Sequence, residues 1–323
     1  SGLPALREAV ADHDQRFYGL ELDPANEVLV TSGATEALAS CLLGLLNPGD
    51  EVVLFEPLYD SYVPIIELAG AVPRYVRLEP PHWKLDREAL AAAFSDKTAM
   101  VILNSPMNPS GKVFGADELD AIAELVAQHD AVCVCDEVYE HLTFGEVAHI
   151  PLITRPGMRE RCARIGSAGK TFSLTGWKVG YISAAPQLLG SIARAHQYLT
   201  FTTPPSLQLA VAYGLRKDDS YFESLRADMQ RKRDRLRTGL ERLGFKVADC
   251  DGTYFLNADY SSLGFDMDDV EFCRHLTIEA KVAAVPTSAF YSDESRRTVV
   301  RFCFCKDDAT LDGALERLGA FLK

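Results

Sequence analysis

The sequence has 323 residues, of which 47% are hydrophobic and 24% charged, close to the average for globular proteins. This composition excludes collagen, low-complexity disorder and a disulfide-stapled miniprotein, and no uncharged stretch reaches the roughly 20 apolar residues of a membrane-spanning helix. The net charge of −13 argues against nucleic acid as a partner, because a surplus of basic residues is needed to bind a phosphate backbone.

The first part of the chain alternates helical patterns with short β-rich runs. Helices are predicted over residues 5–18, 35–46, 59–69, 86–94 and 117–129. Strands are predicted over 28–31, 51–55, 73–78, 99–104, 131–136, 162–167 and 180–185. This alternation indicates an α/β domain with a mostly parallel sheet. Because the strands are rich in Val and Ile without polar alternation, we expect helices on both faces of the sheet.

The pattern changes after about residue 205. A long helical stretch is predicted over roughly 206–243. Four short strands are then predicted at 245–249, 254–259, 282–286 and 298–304. Two helices are predicted near 268–280 and 308–322. The sequence therefore predicts a large α/β domain over residues 1–218 and a smaller α+β domain over residues 219–323.

The chain has eight cysteines, four of which form two C-x-C pairs in apolar runs. The pairs are Cys133 with Cys135 and Cys303 with Cys305. Residues two apart in a strand share one face, and neither pair has the C-x-x-C spacing of a metal site. We expect buried, reduced thiols and no metal, which favours a reducing compartment and a cytoplasmic location.

Polar segments follow the predicted strands, at the ends where a parallel sheet binds its ligands. They include a small-residue turn that opens a helix, an asparagine-proline turn, a carboxylate and a lysine. The segments are 31-TSGATEAL-38, 56-EPLYDSY-62, 104-NSPMNPSGKVF-114, 136-DEVYEH-141 and 167-SAGKTFSLTGWKVGY-181. We expect polar groups from five strand ends to converge on one crevice.

Each segment alone also has an ordinary structural explanation. The turn at 31–38 either caps a helix or offers backbone N–H groups and a hydroxyl to an anion. Tyr59 is either a stacking platform or a core residue. Asn104 and Asn108 flank prolines, where turn chemistry explains them equally well. Asp136 ends a very apolar strand, where a carboxylate is costly unless a cation pairs with it.

The segment 166-GSAGKT-171 is similar to a nucleotide phosphate loop. That loop requires a glycine where this chain has Arg164. A G-x-G-x-x-G fingerprint is also absent from the sequence. Both observations argue against a nucleotide site.

Together, four segments resemble fold-type I pyridoxal-phosphate-dependent aminotransferases of class I/II. They are 104–114, 136–140, 167–181 and 301-RFCFCKDDATL-311, and the resemblance runs from Gly2 to the C-terminus. It is closest to the branch of kynurenine aminotransferases, glutamine transaminase K and bacterial methionine-type aminotransferases. The resemblance implies the PLP-transferase fold, a pyridoxal 5′-phosphate cofactor, a ping-pong transamination and a homodimer with shared active sites.

The resemblance also implies the roles of the reacting residues. Lys170 matches the Schiff-base lysine, and Asp136 matches the carboxylate that pairs with the pyridine nitrogen. Tyr139 and Asn108 match the pair that hydrogen-bonds the phenolic oxygen of the cofactor. Arg301 matches the arginine that binds the α-carboxylate of the substrate, a bidentate task that suits a guanidinium.

Further residues match the cofactor and substrate contacts of the family. Tyr59 corresponds to the aromatic residue that stacks on the cofactor ring. Asn104 lies near the substrate in the pattern, and Phe201 matches an aromatic residue that crosses to the active site of the partner subunit. Thr202 stands where some kynurenine-type relatives have His. The phosphate cup corresponds to Gly33, Ala34, Thr35, Ser167 and Lys178.

The resemblance leaves the substrate open. Relatives carry a further N-terminal stretch, which supplies part of the small domain and of the substrate pocket and is missing from this sequence. The expected amino donor is aromatic, sulfur-containing or glutamine-like. Alternatives are a cysteine-S-conjugate β-lyase and a succinyl-diaminopimelate aminotransferase. A cofactor-binding regulator without turnover is less favoured, since Lys170, Asp136, Tyr139 and Arg301 are all present.

Overall fold

The computed structural model describes residues 2–293 and 297–323. Its strands are β1 (Val28–Thr31), β2 (Glu51–Glu56), β3 (Val72–Arg77), β4 (Thr98–Asn104), β5 (Val132–Asp136), β6 (Cys162–Ser167), β7 (Gly180–Ala184), β8 (Lys246–Val247), β9 (Phe255–Asp259), β10 (Val285–Pro286) and β11 (Val299–Cys303). Its α-helices are α1 (Pro4–Tyr18), α2 (Gly33–Leu45), α3 (Tyr62–Leu68), α4 (Arg87–Ala92), α5 (Ala116–Gln128), α6 (Ala168–Thr171), α7 (Pro186–Leu199), α8 (Pro205–Leu215), α9 (Asp219–Arg242), α10 (Asp269–His275) and α11 (Asp308–Phe321). Within these described ranges, none of the helices is both long and apolar enough to cross a membrane.

A seven-stranded sheet carries the strands of the first part of the chain, in the order β1-β7-β6-β5-β4-β2-β3. The pairs from β3 through β2, β4 and β5 to β6 are parallel, whereas β7 runs antiparallel to both β6 and β1. The predicted α/β class with a mostly parallel sheet is therefore confirmed. The register places Asn104 opposite Asp136 at the carboxyl ends of β4 and β5.

Both faces of the central strands of this sheet are buried, as the apolar strands predict, whereas the edge strand β3 is largely exposed or partly buried. Val52 and Leu54 of β2 belong to one apolar cluster, which includes α2. Val53 and Phe55, which point to the other face, belong to a second cluster that includes α5. Successive side chains of a strand point to opposite faces, so a strand between two helical layers must be apolar throughout.

A second, antiparallel sheet forms from the C-terminal part in the order β10-β11-β9-β8. Burial alternates along β11, with Val300 and Phe302 buried and the residues between them only partly buried. The expectation that all four C-x-C cysteines are buried is thus wrong for Cys303 and Cys305, which are partly exposed. The reason is that this sheet buries one face more completely than the other.

The predicted long helix over 206–243 is wrong, because two helices occupy that range. Helix α8 ends at Leu215, and Asp218 has an extended backbone (φ −60°, ψ 156°) at the start of α9. The helix predicted near 268–280 is present, as α10 followed without a break by a wider π-helical turn over Leu276–Ala280. Helical periodicity continues across the break between α8 and α9, so the sequence pattern did not reveal it.

Candidate active site

A cavity opens beyond the carboxyl ends of β1, β4, β5 and β6, and holds about 730 Å³ of space including its mouth. Asn104 lines this cavity, whereas Arg301 and Phe201 are not part of its lining. The structure brings together there all the residues predicted to bind a cofactor: Gly33, Ala34, Thr35, Tyr59, Asn108, Asp136, Tyr139, Ser167, Lys170 and Lys178.

One end of the cavity is the N-terminus of α2. Ser32 caps this helix without a side-chain hydrogen bond, so the first backbone N–H groups are left to bind a ligand. Strand β7 comes so close that a Cβ atom on Gly180 would lie 2.7 Å from the carbonyl carbon of Gly33. Ser167 and Lys178 line the same cavity. A helix N-terminus, a hydroxyl and an ammonium group together suit an anion.

Asp136 marks the other end of the cavity. Strand β5 lies two strands from β7, which puts Asp136 roughly 10 Å across the sheet from Gly180. The carboxylate is 4% exposed and accepts a 2.7 Å hydrogen bond from the Tyr62 hydroxyl. Burial raises the pKa of Asp136, because a charge is unfavourable away from water. A cationic ligand group beside it would offset that cost.

Lys170 lies between these two ends. It belongs to the short helix α6, whose first turn is capped by the Ser167 hydroxyl, which accepts a hydrogen bond from the N–H of Gly169. The Lys170 ammonium Nζ donates to the hydroxyl of Tyr254 at 3.2 Å. It also lies 5.6 Å from the ring centre of Tyr139, whose pKa burial raises well above its ordinary value. The amine is therefore held by aromatic and hydroxyl groups rather than by a carboxylate.

Arg301 reaches the edge of the cavity from β11. Its NH1 group donates to Oδ1 of Asn108 at 2.8 Å, and its guanidinium carbon lies 4.0 Å from the ring centre of Phe255 and 4.8 Å from that of Phe290. Burial lowers the pKa of Arg301. Its partner Asn108 is itself fixed, since its backbone N–H donates to Oδ1 of Asn104 at 2.7 Å. The result is a cation with a free donor edge beside an apolar wall.

The two remaining aromatic residues of the sequence prediction differ in environment. Tyr59 lines the cavity and packs against Tyr62, with ring centres 5.7 Å apart. Phe201 is 67% exposed and lies in a loop with a positive φ of 67°. Two other exposed aromatic residues, Tyr198 and Tyr213, lie on the helices before and after this loop. Phe201 is thus an exposed side chain that does not line the cavity of its own chain.

Sequence reasoning missed two tyrosines that contact the reacting groups. Tyr62 donates to Asp136, and Tyr254 accepts from Lys170. Tyr62 follows Tyr59 by three residues, a spacing that puts two side chains on one face of a helical turn and was a usable signal. Tyr254 lies 84 residues beyond Lys170 in the other sheet region, and nothing in its local sequence marks it.

One cluster outside the cavity has the residue types of a metal site. The potential ligand atoms of His13, Glu140 and His141 lie within 4.8 Å of one another. Glu140, however, accepts from the Tyr18 hydroxyl at 2.6 Å and pairs with Arg164. The two imidazoles share a hydrogen bond of 2.8 Å between their Nε2 atoms. Because these side chains already bind one another, we assign no metal to them.

Comparison with known proteins identifies the family. Residues 1–318 match the sequence model described as aminotransferase class I and II. The chain is 42% identical over 318 residues to methionine aminotransferase of Escherichia coli, covering 98% of this chain and 82% of the relative. It is 40% identical over 350 residues to kynurenine–oxoglutarate transaminase of Dictyostelium discoideum, covering 97% and 80%.

A solved structure agrees with these relatives. N-succinyldiaminopimelate aminotransferase from Mycobacterium tuberculosis superposes with a TM-score of 0.97 at 45% identity, covering 100% of this chain and 84% of that one. Sequence, fold and the content of the cavity all lead to one conclusion. The chain belongs to the class I and II aminotransferases, which are pyridoxal-phosphate-dependent transaminases.

Proposed function

We propose that this transaminase moves the α-amino group of an aromatic, sulfur-containing or glutamine-like amino acid to a 2-oxo acid in two half-reactions. The observation that carries the proposal is the meeting of the Lys170 amine and the buried Asp136 carboxylate in one cavity, with Arg301 at its edge. These groups suit proton transfer, pairing with a ring nitrogen and binding of an α-carboxylate.

The two ends of the cavity fit pyridoxal 5′-phosphate. The free N–H groups at the start of α2, with Ser167 and Lys178, suit the phosphate. Asp136, whose pKa is raised by burial, gains a cationic partner in a protonated ring nitrogen. When bound, the cofactor withdraws electrons from the Cα atom of the amino acid and so makes its proton removable.

Polar side chains orient the rest of the ring. Oδ1 of Asn108 accepts from Arg301, which leaves the amide NH₂ of Asn108 free to donate to the phenolic oxygen of the cofactor. The Tyr139 hydroxyl would be the second donor to that oxygen. Tyr59 provides the stacking face, and Gly33, Ala34 and Thr35 contribute to the phosphate cup.

Lys170 is the proton carrier. Its amine removes the Cα proton of the bound amino acid, a general-base role that requires a lone pair directed at that atom. The Tyr254 hydroxyl accepts from the amine at 3.2 Å and limits its motion. Arg301 holds the α-carboxylate of the substrate in place, and Asn104, which fixes Asn108, supports the same region.

An apolar amino donor is supported by the surroundings of Arg301. The rings of Phe255 and Phe290 lie beside the guanidinium and form an apolar wall next to the expected carboxylate position. Methionine and kynurenine, the substrates in the names of two relatives, both have large side chains of this kind. A third relative is named for N-succinyldiaminopimelate, so that acid remains an alternative donor.

Two other activities remain as alternatives on the same cofactor. A cysteine-S-conjugate β-lyase would release pyruvate and ammonia from a conjugate instead of exchanging an amine. A non-catalytic cofactor-binding protein would hold the cofactor without changing it. The presence of Lys170, Asp136, Tyr139 and Arg301 in one place favours transamination.

A homodimer with shared active sites is part of the proposal. The exposed aromatic side chains of Tyr198, Phe201 and Tyr213 lie on one stretch of the chain, from the end of α7 to α8. Exposed apolar side chains in such number favour an interface. In a second copy of this chain, Phe201 would reach the neighbouring cavity.

The domain division is also proposed. The larger sheet uses strands between residues 28 and 184 and the smaller one uses strands between 246 and 303, which supports a boundary between 1–218 and 219–323. A cytoplasmic location stays a prediction. It is supported by cysteines that are all in the free thiol state.

The experiment is a visible absorption spectrum of the protein loaded with pyridoxal phosphate, recorded before and after adding single amino acids. The bound cofactor should give a visible absorption band, and we expect methionine, an aromatic amino acid or glutamine to bleach it. N-succinyldiaminopimelate and a cysteine conjugate are tested in the same way, as the substrates of the alternative activities. Lys170→Ala is the control variant. It should retain the cofactor through the phosphate end, yet lose turnover by about 10³-fold or more. Undiminished transamination by this variant would overturn the proposal.

A further inference from the structure

Arg164 is completely buried in β6 and binds three carboxylates at once. Its Nε donates to Glu137 at 2.6 Å, and its NH1 donates to Asp14 at 2.7 Å. Its NH2 donates to Glu140. All three acids are less than 5% exposed. One guanidinium thus joins α1, β6 and the segment after β5.

Two of these acids alternate with the residues of the cavity. The segment Asp136–Glu140 turns sharply, with the Glu140 N–H donating to the carbonyl of Glu137 at 2.9 Å. Asp136 and Tyr139 point into the cavity, whereas Glu137 and Glu140 point to Arg164. Val138 also lines the cavity, but the two polar cavity residues, Asp136 and Tyr139, are each followed directly in sequence by a carboxylate that binds Arg164.

Each carboxylate also has a second partner, which limits its movement. Glu137 pairs with His149 at 2.9 Å. Glu140 accepts from the Tyr18 hydroxyl at 2.6 Å, and Asp14 accepts from a serine hydroxyl at 2.9 Å. The cluster is therefore a fixed network of charge-assisted hydrogen bonds, and Arg164 is its centre.

We propose that Arg164 is a positioning residue for the transamination reaction. By holding Glu137 and Glu140 under the turn, it fixes the directions in which Asp136 and Tyr139 face the cofactor. Arg164 is completely buried and is not among the residues that line the cavity. This inference rests on the proposed function, since it concerns the same cavity.

The test compares Arg164→Lys with Arg159→Lys. Lysine keeps the charge but loses the planar fork that reaches three carboxylates. Arg159 pairs with Glu27 at 2.6 Å near the amino ends of β1 and β6, the opposite end from the cavity. Arg159→Lys alters the ion pair with Glu27 but does not affect the turn at Asp136–Glu140.

Two measurements separate positioning from stability. The first is the pH midpoint of the visible absorption change of bound pyridoxal phosphate. A displaced Tyr139 hydroxyl no longer stabilises the negative phenolic oxygen, so we expect Arg164→Lys to raise this midpoint by roughly one pH unit. The second is the split of kinetic constants, in which kcat should fall roughly 10²-fold with a much smaller change in the KM of the amino acid.

Arg159→Lys should change neither the midpoint nor kcat. An Arg164→Lys protein that binds the cofactor with an unchanged midpoint and kcat would overturn the proposal. Should this variant not fold, Glu137→Met and Glu140→Met decide the question, since methionine has a similar length but no oxygen that could accept from Arg164. Unchanged midpoints in both would equally overturn it. Failure of the proposed function itself is recognised separately, because then the unaltered protein would form no visible absorption band with pyridoxal phosphate, or its band would not change when an amino acid is added.

Discussion

The two ends of the cavity are built in different ways. The proposed phosphate end, defined by residues 32–35 with Ser167 and Lys178, offers mainly backbone N–H groups of one helix. The proposed ring end, defined by Asp136, Tyr139, Asn108 and Tyr62, offers side chains from separate elements. One end depends on a local turn, and the other depends on packing.

This difference predicts different responses to substitution. Backbone N–H groups remain when a side chain is changed, so single substitutions at the phosphate end should cause graded losses of cofactor affinity. At the ring end, by contrast, Asp136 is the one carboxylate among the four defining side chains, so none of the others can replace its charge. A single substitution at the ring end should therefore reduce the rate of the chemistry, even when the cofactor stays bound.

The largest effect is expected from Asp136→Asn at the ring end. Asparagine keeps the shape and can still accept from Tyr62, but it cannot keep a ring nitrogen protonated. We expect kcat to fall roughly 10²- to 10³-fold with the cofactor retained, measured by stopped-flow half-reactions. Tyr62→Phe, which leaves the charge, should cost less. Equal losses in the two variants would contradict the role given to the charge.

Arg301→Lys should have the next largest effect, and it should weaken binding of the amino donor. A lysine cannot form two parallel hydrogen bonds with a carboxylate, and losing a charge-assisted bond corresponds to a roughly 10- to 100-fold weaker interaction. We expect the KM of the amino donor to rise by that factor, with a smaller change in kcat. Arg231→Lys, on exposed α9, is the control. A fall in kcat with an unchanged KM would contradict the role of Arg301 in substrate binding and indicate a role in the chemical step.

Ser167→Ala tests the phosphate end and should have a smaller effect. The variant removes one hydroxyl while the N–H groups of α2 remain. The dissociation constant of pyridoxal phosphate should rise by roughly 2- to 10-fold, measured by equilibrium dialysis, and kcat at saturating cofactor should stay unchanged. Ser262→Ala, an exposed serine outside the cavity, is the control. A large loss of kcat would show that the two ends are not independent.

The smallest effect concerns stability in acid. Burial alone would raise the pKa of Glu140, but the Arg164 guanidinium holds it well below its ordinary range. An unfolded glutamate titrates near pH 4.3. The ionised Glu140 therefore stabilises the folded protein fully above that pH, and this stabilisation is lost as the pH falls toward the lower pKa of the folded state. Between about pH 5 and pH 3, the melting temperature of Glu140→Gln should therefore decrease less than that of the unaltered protein. An identical decrease would argue against the pairing.

The sequence indicated most of the fold, because its signals are local. The alternation of apolar runs and helical patterns gave the strands of the larger sheet with their ends nearly in place. It failed where α8 ends and α9 begins. Arg216 and Lys217 are residue types compatible with a helix, yet Arg216 leaves the helical conformation (φ −89°, ψ 6°) and Asp218 is extended. It also failed for Cys303 and Cys305, whose exposure depends on which face of the smaller sheet is covered.

What the sequence determined by itself was the family and the identity of the residues that meet in the cavity. Their motifs lie at strand ends, and the carboxyl ends of neighbouring strands always share one edge of a sheet. The tertiary structure alone decided the contacts of Tyr254 with Lys170, of Tyr62 with Asp136 and of Arg164 with its three carboxylates. Such contacts join residues far apart in the chain, where sequence spacing carries no information about distance, and only packing brings them together.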